Sequence, residues 1–158
     1  YNREVFPEPQ AVFSKAKVLP GIDGRKMSKS YGNTIPFGAG PEEMWERIRM
    51  MTTDPQRIKK TDPGHPEVCI VYAFHKVFNP EEYEEIGARC SAGEIGCVEC
   101  KKRLAEKMNA LLADIHTKRE ELSKKPEYIK EVLDYGAQRA RKEAEKTMAE
   151  VKTAMNVL

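Results

Sequence analysis

The stretch IKEVLDYGAQRARKEAEKTMAEVKTAMNVL, residues 129–158, settles the fold class. Its apolar and small residues are Ile129, Leu133, Ala137, Ala140, Ala144, Met148, Val151, Met155 and Leu158. They advance by 4, 4, 3, 4, 4, 3, 4 and 3 residues. That is the 3.6-residue period of an α-helix, held for about eight turns. The alanines in its middle are small enough to let another helix approach closely.

Upstream the same period returns. Cys97 to about Lys118 reads as a helix with Leu104, Met108, Leu111, Leu112 and Ile115 on one stripe. Pro66 can start a helix with Val68, Val71, Tyr72, His75 and Phe78 inside; Asn79-Pro80 ends it and caps the next, which carries Tyr83 and Ile86. Pro41 suits a first helical position and Glu42 and Glu43 a first turn, with Met44, Trp45, Ile48 and Met51 marking the inner face. Before Pro41 the helical signal stops. Pro7, Pro9 and Pro20 break residues 1–20 into irregular structure with one short strand at most, and residues 21–40 hold five glycines. The expected fold is mainly α: a helical domain over residues 41–158, preceded by a loop-rich segment over residues 1–40.

Charged residues make up 33% of the 158 and the hydrophobic set 40%, a balance typical of helical proteins with charged outer faces. The net charge of +2 does not by itself announce nucleic acid, so any phosphate or RNA site must come from local clustering. No run approaches the length of a membrane helix. Tyr1-Asn2-Arg3-Glu4 carries no secretory signal pattern, and we read the chain as a cytoplasmic piece of a longer protein.

The loop GIDGRKMSKSYGNTI, residues 21–35, is the densest chemistry in the chain. Lys26, Met27, Ser28, Lys29 and Ser30 lie between Gly24 and Gly32. Two ammonium groups three residues apart can face neighbouring phosphates, and hydroxyls and backbone N–H groups can donate to phosphate oxygens. Where pyrophosphate leaves ATP, lysines so placed stabilise the growing charge more than the ground state. Composition alone favours a solvated basic loop.

The longer string PGIDGRKMSKSYGNTI resembles the KMSKS motif of class I aminoacyl-tRNA synthetases, in the tryptophanyl and tyrosyl branch. TTDPQRIKKTDPGHPEVC, CSAGEIGCVECKKRLAEKMNALL and YGAQRARKEAEKTMAEV are similar to the carboxy-terminal half of bacterial tryptophanyl-tRNA synthetases, which narrows the branch. The likeness runs over essentially the whole chain, from about EVFPEP onward. It implies an edge of a Rossmann-like catalytic domain over residues 1–40 and a helical anticodon-binding domain over 41–158. It also implies ATP binding at Lys26, Met27, Ser28, Lys29 and Ser30. Lys29 is then the main pyrophosphate-side lysine and Lys26 its support. ATP with Mg²⁺, tryptophan and tRNA(Trp) are the implied ligands of the parent enzyme, a ligase and homodimer. The motif and tryptophan pocket that complete the site are not in these residues, so the chain alone should be inactive. A tyrosyl enzyme is the close rival, and a stand-alone iron–sulfur or zinc RNA-binding module is the rival from another class.

Cys69, Cys90, Cys97 and Cys100 are spaced C-x20-C-x6-C-x2-C. Cys97 and Cys100 can put two sulfurs on one centre from a single helical turn. Four thiolates suit Zn²⁺ or an iron–sulfur cluster, although structural zinc sites more often have two close pairs. Cys69 alone reads as a core cysteine, and no thioredoxin-like pattern makes Cys97 and Cys100 a redox pair. The resemblance adds that a subset of bacterial tryptophanyl-tRNA synthetases has this pattern and holds a [4Fe–4S] cluster. The expectation is therefore [4Fe–4S], with Zn²⁺ second and the role structural.

Three basic groups could meet RNA: Arg57, Lys59 and Lys60; Lys101, Lys102 and Arg103; Arg139, Arg141 and Lys142. Interleaved glutamates make a solvated face the ordinary reading of each. The resemblance favours Lys101, Lys102 and Arg103, beside the cysteines, as tRNA contacts. His65, His75 and His116 carry no metal spacing to the cysteines; His75 reads as a core histidine.

Overall fold

The computed structural model describes residues 5–13 and 18–157. Among them are five α-helices and no strand. The helices are α1 (Pro41–Arg49), α2 (Ile70–Phe78), α3 (Tyr83–Ser91), α4 (Cys97–Ser123) and α5 (Pro126–Ala154). The chain forms two compact units, one of residues 14–117 and one of residues 1–13 with 118–158. The short strand allowed within residues 1–20 does not form among the described residues there. Pro20 instead makes an isolated antiparallel bridge with Lys26.

In the unit of residues 14–117, α1 starts on Pro41 and buries Met44 and Ile48, while Met51 follows just after its end. They pack with Ile22, Phe74, Val71, Leu104 and Met108 in one core. Each large side chain withdrawn there contributes about 1.5–3 kcal/mol by burial. Pro66 opens only a 3-10 turn, Pro66–Val68, and Val68 is exposed; the α-helix begins at Ile70 because Cys69 is extended (φ −89°, ψ 122°) and serves as its N-cap. The helix ends at Asn79, whose N–H donates to the His75 carbonyl. The Asn79 carbonyl then accepts from Glu82 N and Tyr83 N and starts α3.

On α4 the buried stripe is Leu104, Ala105, Met108 and Leu112. Leu111 and Ile115, expected on it, are 61% and 51% exposed, because the face turned to the core runs one position to the side. The helix also continues past Lys118 to Ser123. In the other unit, α5 forms over the expected stretch with Pro126 at its first turn, but it buries none of its residues. Ala137, Ala140 and Ala144 are exposed, so no described residue covers them with the close helix approach expected there. Leu158 and the residues before Val5 lie outside the described residues. No helix is long and apolar enough to cross a membrane among the residues described.

Candidate functional site

The lysine–serine loop is built on one buried amide. Asn33 is 2% exposed, and its Oδ1 accepts from Ser28 N at 2.8 Å. Its Nδ2 donates to Asp23 Oδ1 at 2.8 Å and to the Lys26 carbonyl at 3.1 Å. One side chain thus replaces the backbone ladder that the loop lacks. Gly21 makes room for it: a Cβ there would stand 2.3 Å from Asn33 Nδ2. Ile22 anchors the same limb in the core, with its N–H on the Asn33 carbonyl.

Ser28 to Ser30 carry the start of a short 3-10 turn, Lys29–Tyr31. The Ser28 hydroxyl caps it by accepting from Ser30 N at 3.2 Å. Gly32 closes it in the left-handed conformation (φ 63°), and Arg47 of α1 donates to the Gly32 carbonyl at 2.9 Å. Lys26 and Lys29 are exposed, and neither ammonium has a hydrogen-bond or ion-pair partner among the described residues. Arg25 is engaged, paired with Asp23 and lying over the Tyr31 ring at 4.7 Å. The hydrogen bond from Asn33 chiefly, helped by Arg25, holds the Asp23 carboxyl at about 2. Among the described residues, the local geometry therefore leaves two ammonium groups unpartnered on one held loop.

All four cysteines are free and half-buried. Cys69 caps α2, Cys90 ends α3, and Cys97 and Cys100 open α4. They act on one another electrostatically: burial first, then Cys69, Cys90 and Cys97, push the Cys100 thiol up to about 12. Burial also raises Cys90, with Arg57 opposing. The Arg57 guanidinium lies 3.5 Å from Cys90 Sγ and donates to the Lys60 and Ile95 carbonyls, while its buried Nε has no partner among the described residues. His75, fully buried, sits 3.1 Å from the Cys100 carbonyl and 3.5 Å from Cys100 Sγ. Burial keeps its ring below the usual value, hence neutral, with Nε2–H donating and Nδ1 facing Asn79 Nδ2. The thiols are neighbours rather than a closed cage. No three His, Cys, Asp or Glu side chains among the described residues are set around one point as an ion requires.

Asp54 shapes the turn beside Cys90. Its buried carboxylate accepts from Gln56 N, His65 N and His65 Nδ1. That places Gly64 so that its N–H meets the Cys90 carbonyl at 3.0 Å. A Cβ on Gly64 would lie 2.5 Å from Cys90 Sγ. Sequence reading passed over Asn33, Asp54 and Arg47. The Asp-Pro turn was a visible signal for Asp54; Asn33 and Arg47 carried none beyond residue type.

The basic groups separate in space. Lys101 Nζ donates to the Arg49 and Met51 carbonyls, both at 2.7 Å, and Arg103 pairs with Glu99. Lys102 is exposed and lines a cleft of about 500 Å³ with Arg57, Lys59, Lys60, Cys97 and Val98. Ile58 and Val98 add apolar surface there, at 89% and 63% exposure.

The lysine–serine loop and the four thiols thus lie in one mainly helical unit. The model of the tRNA synthetases class I (W and Y) matches residues 1–113, and the chain belongs to that family. Within it the similarity is to tryptophan–tRNA ligases. The ligase of Aquifex aeolicus is 45% identical over 99% of this chain and 41% of its own length. That of Thermotoga maritima is 44% identical over 98% and 48%. The chain thus spans about half the length of the curated relatives it matches. Among solved structures, tryptophanyl-tRNA synthetase from Campylobacter jejuni, complexed with ADP and tryptophan, superposes at a TM-score of 0.75. Its identity is 34%, over 88% of this chain and 43% of that one. These matches do not support the stand-alone RNA-binding module.

Proposed function

We propose that this chain supplies the phosphate loop and the tRNA-facing helices of a cytoplasmic tryptophan–tRNA ligase, joining tryptophan to tRNA(Trp) with the consumption of ATP. The observation that carries the reading is the pair of ammonium groups, Lys26 and Lys29, unpartnered among the described residues on a loop held by Asn33. When tryptophan's carboxylate attacks the α-phosphate, charge grows on the departing pyrophosphate. Cations already fixed there reorganise little and favour that state. Lys29, inside the 3-10 turn, faces that charge and Lys26 flanks it. Met27 and the hydroxyls of Ser28 and Ser30 complete the contact with ATP, whose phosphates carry Mg²⁺. Residues 1–40 are the edge of the nucleotide-binding domain and residues 41–158 the helical tRNA domain. The test is tryptophan-dependent ATP–pyrophosphate exchange with Lys29 replaced by alanine.

What supports a thiolate-bound group at Cys69, Cys90, Cys97 and Cys100 is the residue type and the neighbourhood of four half-buried thiols, with Arg57 beside Cys90 to offset thiolate charge. The proposed group is [4Fe–4S], with Zn²⁺ the alternative. When bound, it would cross-link the starts of α2 and α4 to the end of α3, a structural role. Cys90 and Cys100, whose thiols burial holds neutral, must release protons to bind it, so loading is favoured at higher pH. The cleft beside Cys97 is the proposed seat for anticodon nucleotides: Arg57, Lys59, Lys60 and Lys102 offer charge, and Ile58 and Val98 offer apolar contact for a base. Of the three cations expected at the RNA, exposure supports Lys102, while Lys101 is bonded to the Arg49 and Met51 carbonyls and Arg103 pairs with Glu99.

A further inference from the structure

The helix α5 is two-sided. The apolar stripe from Ile129 to Val151 runs along one side. Tyr128, Tyr135, Arg139, Lys142 and Lys146 advance by 7, 4, 3 and 4 residues. At 3.6 residues per turn they fall in one band of about 60°, opposite the stripe. All five are exposed, the two tyrosines at 53% and 64%.

A charged helical face commonly satisfies itself with ion pairs one turn apart. The helices α3 and α4 do so: Arg89 pairs with Glu85 and Arg103 with Glu99. On α5, Glu143 stands four residues after Arg139 and three before Lys146, yet neither pair closes. Lys142 and Lys146 have no hydrogen-bond or ion-pair partner among the described residues. Arg139 turns to Tyr135 instead, with its guanidinium carbon 5.8 Å from the ring centre. Beside them Gly136 leaves open space, although a glycine inside a helix weakens it. The result is a recess of about 440 Å³ lined by Tyr135, Gly136, Arg139, Ala140, Lys142 and Glu143.

We propose that this face of α5 is an RNA contact, with the phosphodiester backbone on Arg139, Lys142 and Lys146 and one unstacked base on Tyr135. A guanidinium and ammonium groups both suit phosphate oxygens, and unpaired ones lose no internal bond on binding. A nucleobase needs a ring face, which Tyr135 offers beside the guanidinium. An acidic peptide would use the cations and leave the ring idle. The band carries no aliphatic side chain to enter a bilayer, which disfavours a membrane. The contact is separate from the cleft beside Cys97, because α5 belongs to the other compact unit. That the RNA is tRNA(Trp) rests on the ligase reading; the contact itself does not.

Binding of a short, labelled, single-stranded RNA of mixed sequence to this chain, followed by anisotropy against salt, tests it. Arg139→Gln, Lys142→Gln and Lys146→Gln together should lower the log–log slope by about 2, roughly 0.7 for each phosphate. Lys130→Gln, Arg141→Gln and Lys152→Gln remove the same charge from the rest of the helix and should leave the slope unchanged. Tyr135→Ala should weaken binding about tenfold with the slope kept, and Tyr135→Phe should restore it. Glutamine is a good helix former, so far-ultraviolet circular dichroism should match the parent throughout. An unchanged slope in the first triple variant, an equal fall in both triples, or parent affinity in Tyr135→Ala would overturn the proposal. So would capture by phosphatidylserine vesicles without binding of RNA. If the face variants lose the RNA while tryptophan drives no ATP–pyrophosphate exchange in the whole enzyme, the contact stands and the ligase reading fails. If exchange runs and the RNA ignores the face, the contact alone fails.

Discussion

The side chain of Asn33 makes three hydrogen bonds from a buried seat, to Ser28 N, Asp23 and the Lys26 carbonyl. Asn33→Ala would strand the Ser28 N–H and loosen the loop, a loss of about 1–3 kcal/mol readable as a lower urea midpoint. The same bond dominates the depressed Asp23 carboxyl, held at about 2 against an ordinary 3.8. A depressed folded pKa stabilises above the unfolded value and is lost as pH falls through the folded one. The contribution of Asp23 is therefore complete above about pH 4 and gone near pH 2. Carboxyl NMR should give a midpoint near 2 that moves up in Asn33→Ala; an unmoved midpoint would assign the shift to Arg25 instead. None of this was legible in the sequence. Lys26 and Lys29 announced themselves because spacing and residue type carry their chemistry. Asn33 and Arg47 act through positions that only the folded loop creates.

The helices were the legible part, since hydrophobic period survives in a bare sequence, and α1 and α3 begin close to the signals at Pro41 and Asn79-Pro80. Which edge of a stripe is covered was not legible: Leu111 and Ile115 have the spacing of core residues yet face outward, because the covering elements decide it. In α5, Gly136 lies mid-helix in open space, and a Cβ added there would meet nothing within 4 Å. Gly136→Ala should stabilise the helix by about 0.5–1 kcal/mol, seen as a higher midpoint in thermal circular dichroism. A drop would mean that α5 is not a continuous helix there. The cleft between the turns after α1 and the start of α4 has its own test. Alanine at Lys59, Lys60 and Lys102 together should flatten the salt dependence of tRNA affinity by about 2 units of log–log slope. An identical slope removes the cleft from the interface.

For the molecule as a whole, the thiols and the loop belong to one compact unit, and the family match spans both. The four cysteines were readable as a set from their residue type and the close spacing of C-x6-C-x2-C, which spans the end of α3 and the start of α4. The neighbourhood of Cys69 needed the fold, which brings the start of α2 to them. Anaerobically reconstituted protein should carry about four irons and a broad absorbance at about 400 nm, lost in Cys100→Ser. One equivalent of zinc without that band would replace the cluster by the ion. The ligase reading itself is decided by ATP–pyrophosphate exchange on the product of the whole gene. Tryptophan should drive the exchange and tyrosine should not, and Lys29→Ala should cut kcat by about 100-fold or more with the KM for tryptophan kept. Exchange at the parent rate in Lys29→Ala, or exchange driven by tyrosine, would contradict it.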